Sequence, residues 1–296
     1  MRNIILSLVF ALATWGMSAQ SLKVCTYNVR VDVPGDSING DVWLKRCQVM
    51  CDQLNYEAPE IIGTQEIIMA SQLQGLLDRL DGYDYIGARG YNGRKSDVST
   101  AIFYRKGSVK LLDQGCFWLS ETPDVPGKGW DAAYVRVCVW GRFQDIKTQG
   151  KFIVFNLHLD NKGEMARINS AHLMLKRIPE IAQGLPVVLT GDFNASQDEE
   201  VYRAFAQSGI LKDTYTCARL RFAENGTYND FRSNLKSDNR IDHIFVSHDF
   251  DIEAYAVRTD SYWTATTSPG NRDRVSFVRR NPSDHYPVFV KLKFKN

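Results

Sequence analysis

Apolar and polar positions along the chain fall into two similar halves. Leu22 to Val29 reads as a strand, and a loop rich in Gly, Pro, Asp and Asn follows it. Val42 to Tyr56 then repeats Leu44, Cys47, Cys51 and Leu54 at helical spacing. Pro59 opens a second strand, Ile61-Ile62-Gly63, which runs out at Gln65-Glu66. The later half repeats this plan with a strand Phe152 to Leu159, a helix Glu164 to Ala182 and a strand Pro186 to Thr190 ending at Gly191-Asp192. Ile168, Ala171, Leu175, Ile178 and Ala182 give that helix its core face.

Strand-like segments at Ser99 to Tyr104, Gly115 to Leu119 and Ala133 to Phe143 lie between the halves, and Ile241 to Val246 and Val288 to Phe294 come after them. This order predicts two stacked sheets with helices outside, and polar strand tips gathered at one end. No low-complexity linker interrupts 296 residues, so residues 20–296 are expected to form one domain.

Residues 1–19 carry the marks of a secretory signal: Arg2, an apolar run Ile4 to Ala13, and small residues Ser18-Ala19 before Gln20. The expectation is an exported protein, periplasmic or extracellular, with no integral membrane segment once the leader is gone. The net charge of +2 becomes +1 when Arg2 leaves with the leader, which argues against nonspecific nucleic-acid binding driven by charge. The six cysteines form no recognisable disulfide framework, although Cys116 and Cys138 could pair across neighbouring strands. CxxC and HExxH patterns are absent, which argues against a structural or peptidase zinc site.

Polar groups at the ends of apolar runs carry the candidate chemistry. Glu66 suits Mg²⁺, which takes only one or two protein carboxylates and keeps several waters. Asp192 and Asn194 are two apart, so an extended tip would point both the same way, while Gly-Asp-Phe-Asn also favours a local Asx turn. In Asn156-Leu157-His158-Leu159-Asp160, alternation puts His158 on a polar face, as a phosphoryl contact or as a structural histidine. Asp242 can orient His285, because a carboxylate on one ring nitrogen fixes the tautomer and raises the basicity of the other. That pairing frees Asp284 for a metal or its water shell.

Asn28 in TYNVR, Glu66 in TQE, His158 in NLHLD, Asp192 and Asn194 in GDFN, Asp242 in IDHIFVS and Asp284-His285 in SDHYPV occur in one order from about residue 22 to residue 294. This ordered set resembles the endonuclease/exonuclease/phosphatase superfamily, and FWLSETPDVPGKGWDAAYVRV with HLDNKGEMARINSA is similar to a secreted bacterial subgroup of it. The resemblance implies a four-layered α/β sandwich, two packed mixed β-sheets flanked by helices, and a phosphohydrolase dependent on Mg²⁺ or Mn²⁺. It implies metal binding at Asn28, Glu66 and Asp284, and catalytic roles for His158, Asp192, Asn194, Asp242 and His285, with the general base open between Asp192 and His285. Arg30 and Arg136 are candidates to hold an anionic substrate group, or else members of structural ion pairs. Arg272, Arg274, Arg279 and Arg280 crowd what reads as a loop before Asp284.

The expected partner is a phosphate ester, either a small molecule or nucleic acid, acted on by a monomer. A phosphodiester or a phosphomonoester fits, as do nuclease and lipid phosphohydrolase readings, and Tyr262-Trp263 is a modest candidate for a lipid-facing segment. A non-catalytic exported binding protein is the reading outside the enzyme class.

Overall fold

The computed structural model describes residues 21–68, 70–87, 98–268 and 271–295; the leader expected at 1–19 lies outside them. The first half contains β1 (Ser21–Asn28), α1 (Pro34–Ile38), α2 (Trp43–Glu57), β2 (Ile61–Ile68), α3 (Gln72–Leu77), β3 (Tyr83–Gly87), β4 (Val98–Arg105) and β5 (Val109–Trp118). The chain continues through β6 (Val137–Asp145), β7 (Lys151–His158), α4 (Glu164–Ala182), β8 (Val187–Asp192), α5 (Glu200–Ala206), β9 (Lys212–Asp213) and α6 (Thr214–Cys217). It ends with β10 (Leu220–Phe222), β11 (Asp242–Val246), β12 (Phe250–Val257), β13 (Tyr262–Ser268), β14 (Asn271–Arg280) and β15 (Val288–Phe294).

Strands β10-β12-β15-β1-β2-β4-β3 form one mixed sheet and β5-β6-β7-β8-β11-β9 the other. The two repeated halves appear as β1-α2-β2 and β7-α4-β8, each a parallel strand pair bridged by a helix, the connection a parallel pair requires. One apolar cluster, including Val24, Ile102, Phe152, Val188 and Val290, fills the space between the sheets. A second packs α4 and α5 on one sheet, and a third packs α2 and α3 on the other. The architecture is therefore helix, sheet, sheet, helix.

Several local expectations change. Leu44 is 66% exposed, and the buried stripe of α2 runs instead through Trp43, Arg46, Cys47, Met50, Cys51 and Leu54. Cys116 lies opposite Val139 while Cys138 lies opposite Phe117, so the two thiols face opposite sides of the sheet; all six cysteines are free. The arginine-rich segment before Asp284 is a two-stranded ribbon, β13 with β14, rather than a loop. Arg280 ties the ribbon down through Asp41 (2.9 Å) and links its two strands through Thr264 (3.0 Å), and Arg279 donates to the Ser233 carbonyl (2.7 Å). The side chains of Arg272 and Arg274 lie outside the described residues.

Beneath the strand tips the two sheets are joined by polar groups. Gln65 Nε2 donates to Thr26 Oγ1 (3.1 Å) and Asn156 Oδ1 (2.8 Å). Asn156 Nδ2 donates to the carbonyls of Thr64 (2.9 Å) and Ala101 (3.0 Å). Gly63 makes room for this layer: a Cβ there would meet Thr190 Oγ1 and lie 2.7 Å from Asn156 Oδ1.

Candidate active site

In the second sheet, His158 and Asp242 are both register partners of Asp192. Three adjacent strands therefore present these side chains in a row. Asn28 ends β1 opposite Gln65 of β2 in the first sheet. Its Nδ2 crosses between the sheets, donating to Asp192 Oδ2 at 2.9 Å and to Glu66 Oε1 at 3.1 Å.

Three polar tips adopt left-handed backbone: Arg30 (φ 59°), Glu66 (φ 62°) and Asn194 (φ 46°). Non-glycine residues rarely take this conformation, and such strain gathers at functional sites. At Glu66 it coincides with a register break between β2 and β4, a bulge that re-aims the carboxylate. Glu66 Oε2 accepts from Val31 N–H (3.1 Å). At Asn194 the turn bends the tip, and Asn194 N–H donates to Asp192 Oδ1 (2.8 Å), so the Asx turn forms in place of an extended tip.

The Nε2 atoms of His158 and His285 both approach Asp192 Oδ2, at 3.5 Å and 3.8 Å. His285 Nδ1 lies 2.8 Å from Asp242 Oδ2. Burial opposes its charge, but Asp242 and then Asp192 outweigh it and hold the imidazolium well above the usual histidine range. His158 shifts the other way. Burial first, then the charges of Arg136 and His285, push it well below that range. Arg136 Nη1 reaches His158 Nδ1 at 3.0 Å; a guanidinium cannot accept, so the neutral ring carries its proton on Nε2, facing Asp192. Asn194 Nδ2 is 3.1 Å from that nitrogen and donates instead to the Leu159 carbonyl at 2.9 Å. Burial, then the charge of Asp242, raise Asp192 to about 7.

Arg136 is buried and engaged with Asp160 (3.2 Å) as well as His158, which makes it the support of His158. Asp160 also accepts from the backbone N–H groups of Ala133, Tyr134, Lys162 and Gly163. Arg30 is at the rim, bonded to Asp36 (2.9 Å) and 3.5 Å from Asp284 Oδ2. Ser283 Oγ donates to the Asn28 carbonyl at 2.7 Å and so fastens the Asp284 loop to β1. The sequence reading passed over Ser283, Asp36 and the supporting role of Asp160.

Two groupings are candidates to hold a cation. Asp192, Asp242 and His285 have ligand atoms within 4.8 Å of one another, but His285 Nδ1 is already bonded to Asp242. Glu66 and Asp284 instead offer carboxylate oxygens, whereas Asn28, expected as a ligand, turns its amide nitrogen towards Glu66 and Asp192 and its oxygen to Arg30 N–H (3.0 Å), which makes it an orienting group. Burial, with the Glu66 charge adding to it, raises Asp284 despite the opposing pull of His285. An all-oxygen set in which carboxylates repel is what a hard divalent cation relieves, so these residues fit Mg²⁺ or Mn²⁺.

A carboxylate pair at the sandwich rim, with a neutral histidine and a charged one beside Asp192, suits stabilisation of a phosphoryl group under attack. The chain belongs to the endonuclease/exonuclease/phosphatase family, whose model matches residues 25–285. A Bacteroides thetaiotaomicron protein of this family is 42% identical, with a TM-score of 0.89 over 94% of this chain and 99% of that one. A mannosyl-6-phosphatase from the same organism is 43% identical, with a TM-score of 0.86 over 92% of this chain and 100% of that one. The human Nocturnin catalytic domain shares the fold at 18% identity, with a TM-score of 0.66 over 93% of this chain and 94% of that one.

Proposed function

We propose that this chain is an exported, Mg²⁺- or Mn²⁺-dependent phosphatase that hydrolyses a small phosphomonoester of the hexose 6-phosphate kind. The observation that carries the reading is the convergence on Asp192 of Asn28, which also bonds Glu66, and of the Nε2 atoms of His158 and His285. The 43% identity to a mannosyl-6-phosphatase supports the substrate class, and the small net charge suits a small substrate better than a polyanion.

Glu66 and Asp284 would hold the cation, with Asn28 orienting Glu66 and Asp192 through its amide. When bound, that cation supplies charge neutralisation at the phosphoryl and leaving oxygens. Neutral His158 donates Nε2–H to a phosphoryl oxygen, and the His285 imidazolium stabilises the charge that grows on the same group. Asp192, a base near neutrality, orients the attacking water and takes its proton. Water adds to phosphorus as Asp192 takes its proton, the ester P–O bond breaks, and the leaving oxygen takes up a proton from solvent, giving an alcohol and inorganic phosphate.

The test is hydrolysis with Mg²⁺, Mn²⁺ or EDTA, read as phosphate from mannose 6-phosphate and glucose 6-phosphate, p-nitrophenol from bis-p-nitrophenyl phosphate, shortened strands from single-stranded DNA and phosphocholine from sphingomyelin vesicles. Metal-dependent release from the hexose phosphates, lost in Asp192→Asn, is expected. Turnover of the diester or DNA alone would overturn the monoester assignment. A lipid substrate is the second reading, because Trp263 (61% exposed) and Phe277 (63%) share one face of the β13–β14 ribbon, and turnover confined to vesicles would favour it. Export is tested by the N-terminus of the released protein, expected at Gln20.

A further inference from the structure

Arg46 sits on α2 with its side chain fully buried at 0% exposure, on the stripe otherwise made by Trp43, Cys47, Met50, Cys51 and Leu54. Its guanidinium donates only to carbonyl oxygens among the described residues: Asp41 from Nε (3.0 Å), Val29 and Pro282 from Nη1 (2.9 and 3.2 Å), and Arg30 from Nη2 (3.3 Å). The Trp43 and Phe231 rings lie 5.1 and 5.5 Å from the guanidinium carbon. Burying a cation without a carboxylate partner is costly, and an apolar residue at this position would complete the stripe at lower cost. What the guanidinium adds is its geometry. Nη1 joins the carbonyl just after Asn28 to the carbonyl two residues before Asp284, and Nη2 takes the next carbonyl of the β1 tip.

We propose that Arg46 is a positioning residue of the metal site, setting the spacing between the Asn28 tip and the Asp284 loop and placing a permanent positive charge behind the facing carboxylates. The inference rests on the reading that Glu66 and Asp284 hold the cation. A planar fork with several fixed donors can bridge those carbonyls; a lysine ammonium, a point charge on a flexible stem, cannot hold them all in register.

The experiment measures Mn²⁺ binding to the metal-free full chain by electron paramagnetic resonance, alongside kcat, KM and thermal unfolding, for wild type, Arg46→Met, Arg46→Lys and Met50→Ala. Met50 is buried on the same helix one turn away, so Met50→Ala reports what destabilisation of α2 does by itself. Arg46→Met is expected to weaken Mn²⁺ binding about 10- to 100-fold, as loss of a ligand-orienting partner does. The fall should appear in kcat more than in KM. Arg46→Lys, which keeps the charge but not the fork, is expected to weaken binding by roughly threefold or more. Met50→Ala should unfold at a lower temperature with Mn²⁺ affinity intact. Wild-type affinity in both Arg46 variants, or a loss matched by Met50→Ala, would overturn the proposal alone. Absence of Mn²⁺ binding in the wild type would remove the metal-site reading and this inference together.

Discussion

Asp242 Oδ2 and His285 Nδ1 lie 2.8 Å apart although 43 positions separate them in the chain. The pair keeps His285 charged, with burial opposing and Asp242 leading the opposition to it. Asp242→Asn should therefore lower the His285 pKa, read from the pH titration of its ring proton by NMR, and cut kcat about 10- to 100-fold. The sign for stability follows from a raised folded-state value. The stabilisation is complete below the unfolded histidine pKa of about 6.5 and is lost as pH rises through the folded value. The variant's thermal deficit should be largest on the acid side and shrink in alkali; an unchanged titration would dismiss the pairing as a charge-setting contact.

Asp192→Asn separates activity from stability. The wild-type carboxyl is raised to about 7, by burial first and Asp242 second, so ionising it penalises the folded state. That penalty is absent below the unfolded value of about 4 and builds as pH rises towards the folded value. Metal-free Asp192→Asn should melt above wild type at about pH 8 and lose the advantage near pH 4, while activity falls about 10²–10⁴-fold as for a lost general base. A variant that melts below wild type at both pH values would contradict the account.

Asp160 carries the opposite linkage. Burial works to raise it, but the N–H groups of Gly163, Ala133, Lys162 and Tyr134 prevail and hold it at about 2. Its contribution is present above the unfolded value of about 4 and is lost as pH falls through the folded value. Asp160→Asn should cost roughly 2 kcal/mol in urea unfolding at neutral pH, with a smaller difference in acid. It should also reduce kcat, because Arg136 loses its anchor beside His158.

Gly63→Ala tests the polar layer that joins the sheets. Its new methyl would meet Thr190 and Asn156, both buried and hydrogen-bonded to each other at 3.1 Å. Overpacking of this kind costs about 1–3 kcal/mol, and disturbance of Asn156 and Gln65 should lower kcat as well. A urea midpoint equal to wild type would show that the layer yields freely.

Short-range pattern carried much of the fold. The α4 boundaries, Glu164 and Ala182, and the β15 boundaries, Val288 and Phe294, coincide with the periodic runs, because apolar spacing and strand alternation are properties of neighbouring residues. Spacing alone does not fix the face of α2: Leu44 fits the helical period of Cys47, Cys51 and Leu54 but is exposed, and the buried stripe runs through Trp43, Arg46, Cys47 and Met50. The β13–β14 ribbon leaves no clear signal in the sequence, because a two-stranded sheet apart from the main core imposes no clean alternation of charged and apolar residues.

The sequence by itself determined which polar side chains end each strand and the order in which they occur, since both follow from local periodicity and turn chemistry. Only the tertiary structure decided which of them meet. Asn28 reaches Asp192 across 164 positions and Arg46 reaches Pro282 across 236, contacts made by the register of two sheets and the docking of a helix. The opposite charge preferences of His158 and His285 have the same origin. Both are buried histidines, and what separates them is that the fold brings Arg136 to one and Asp242 to the other.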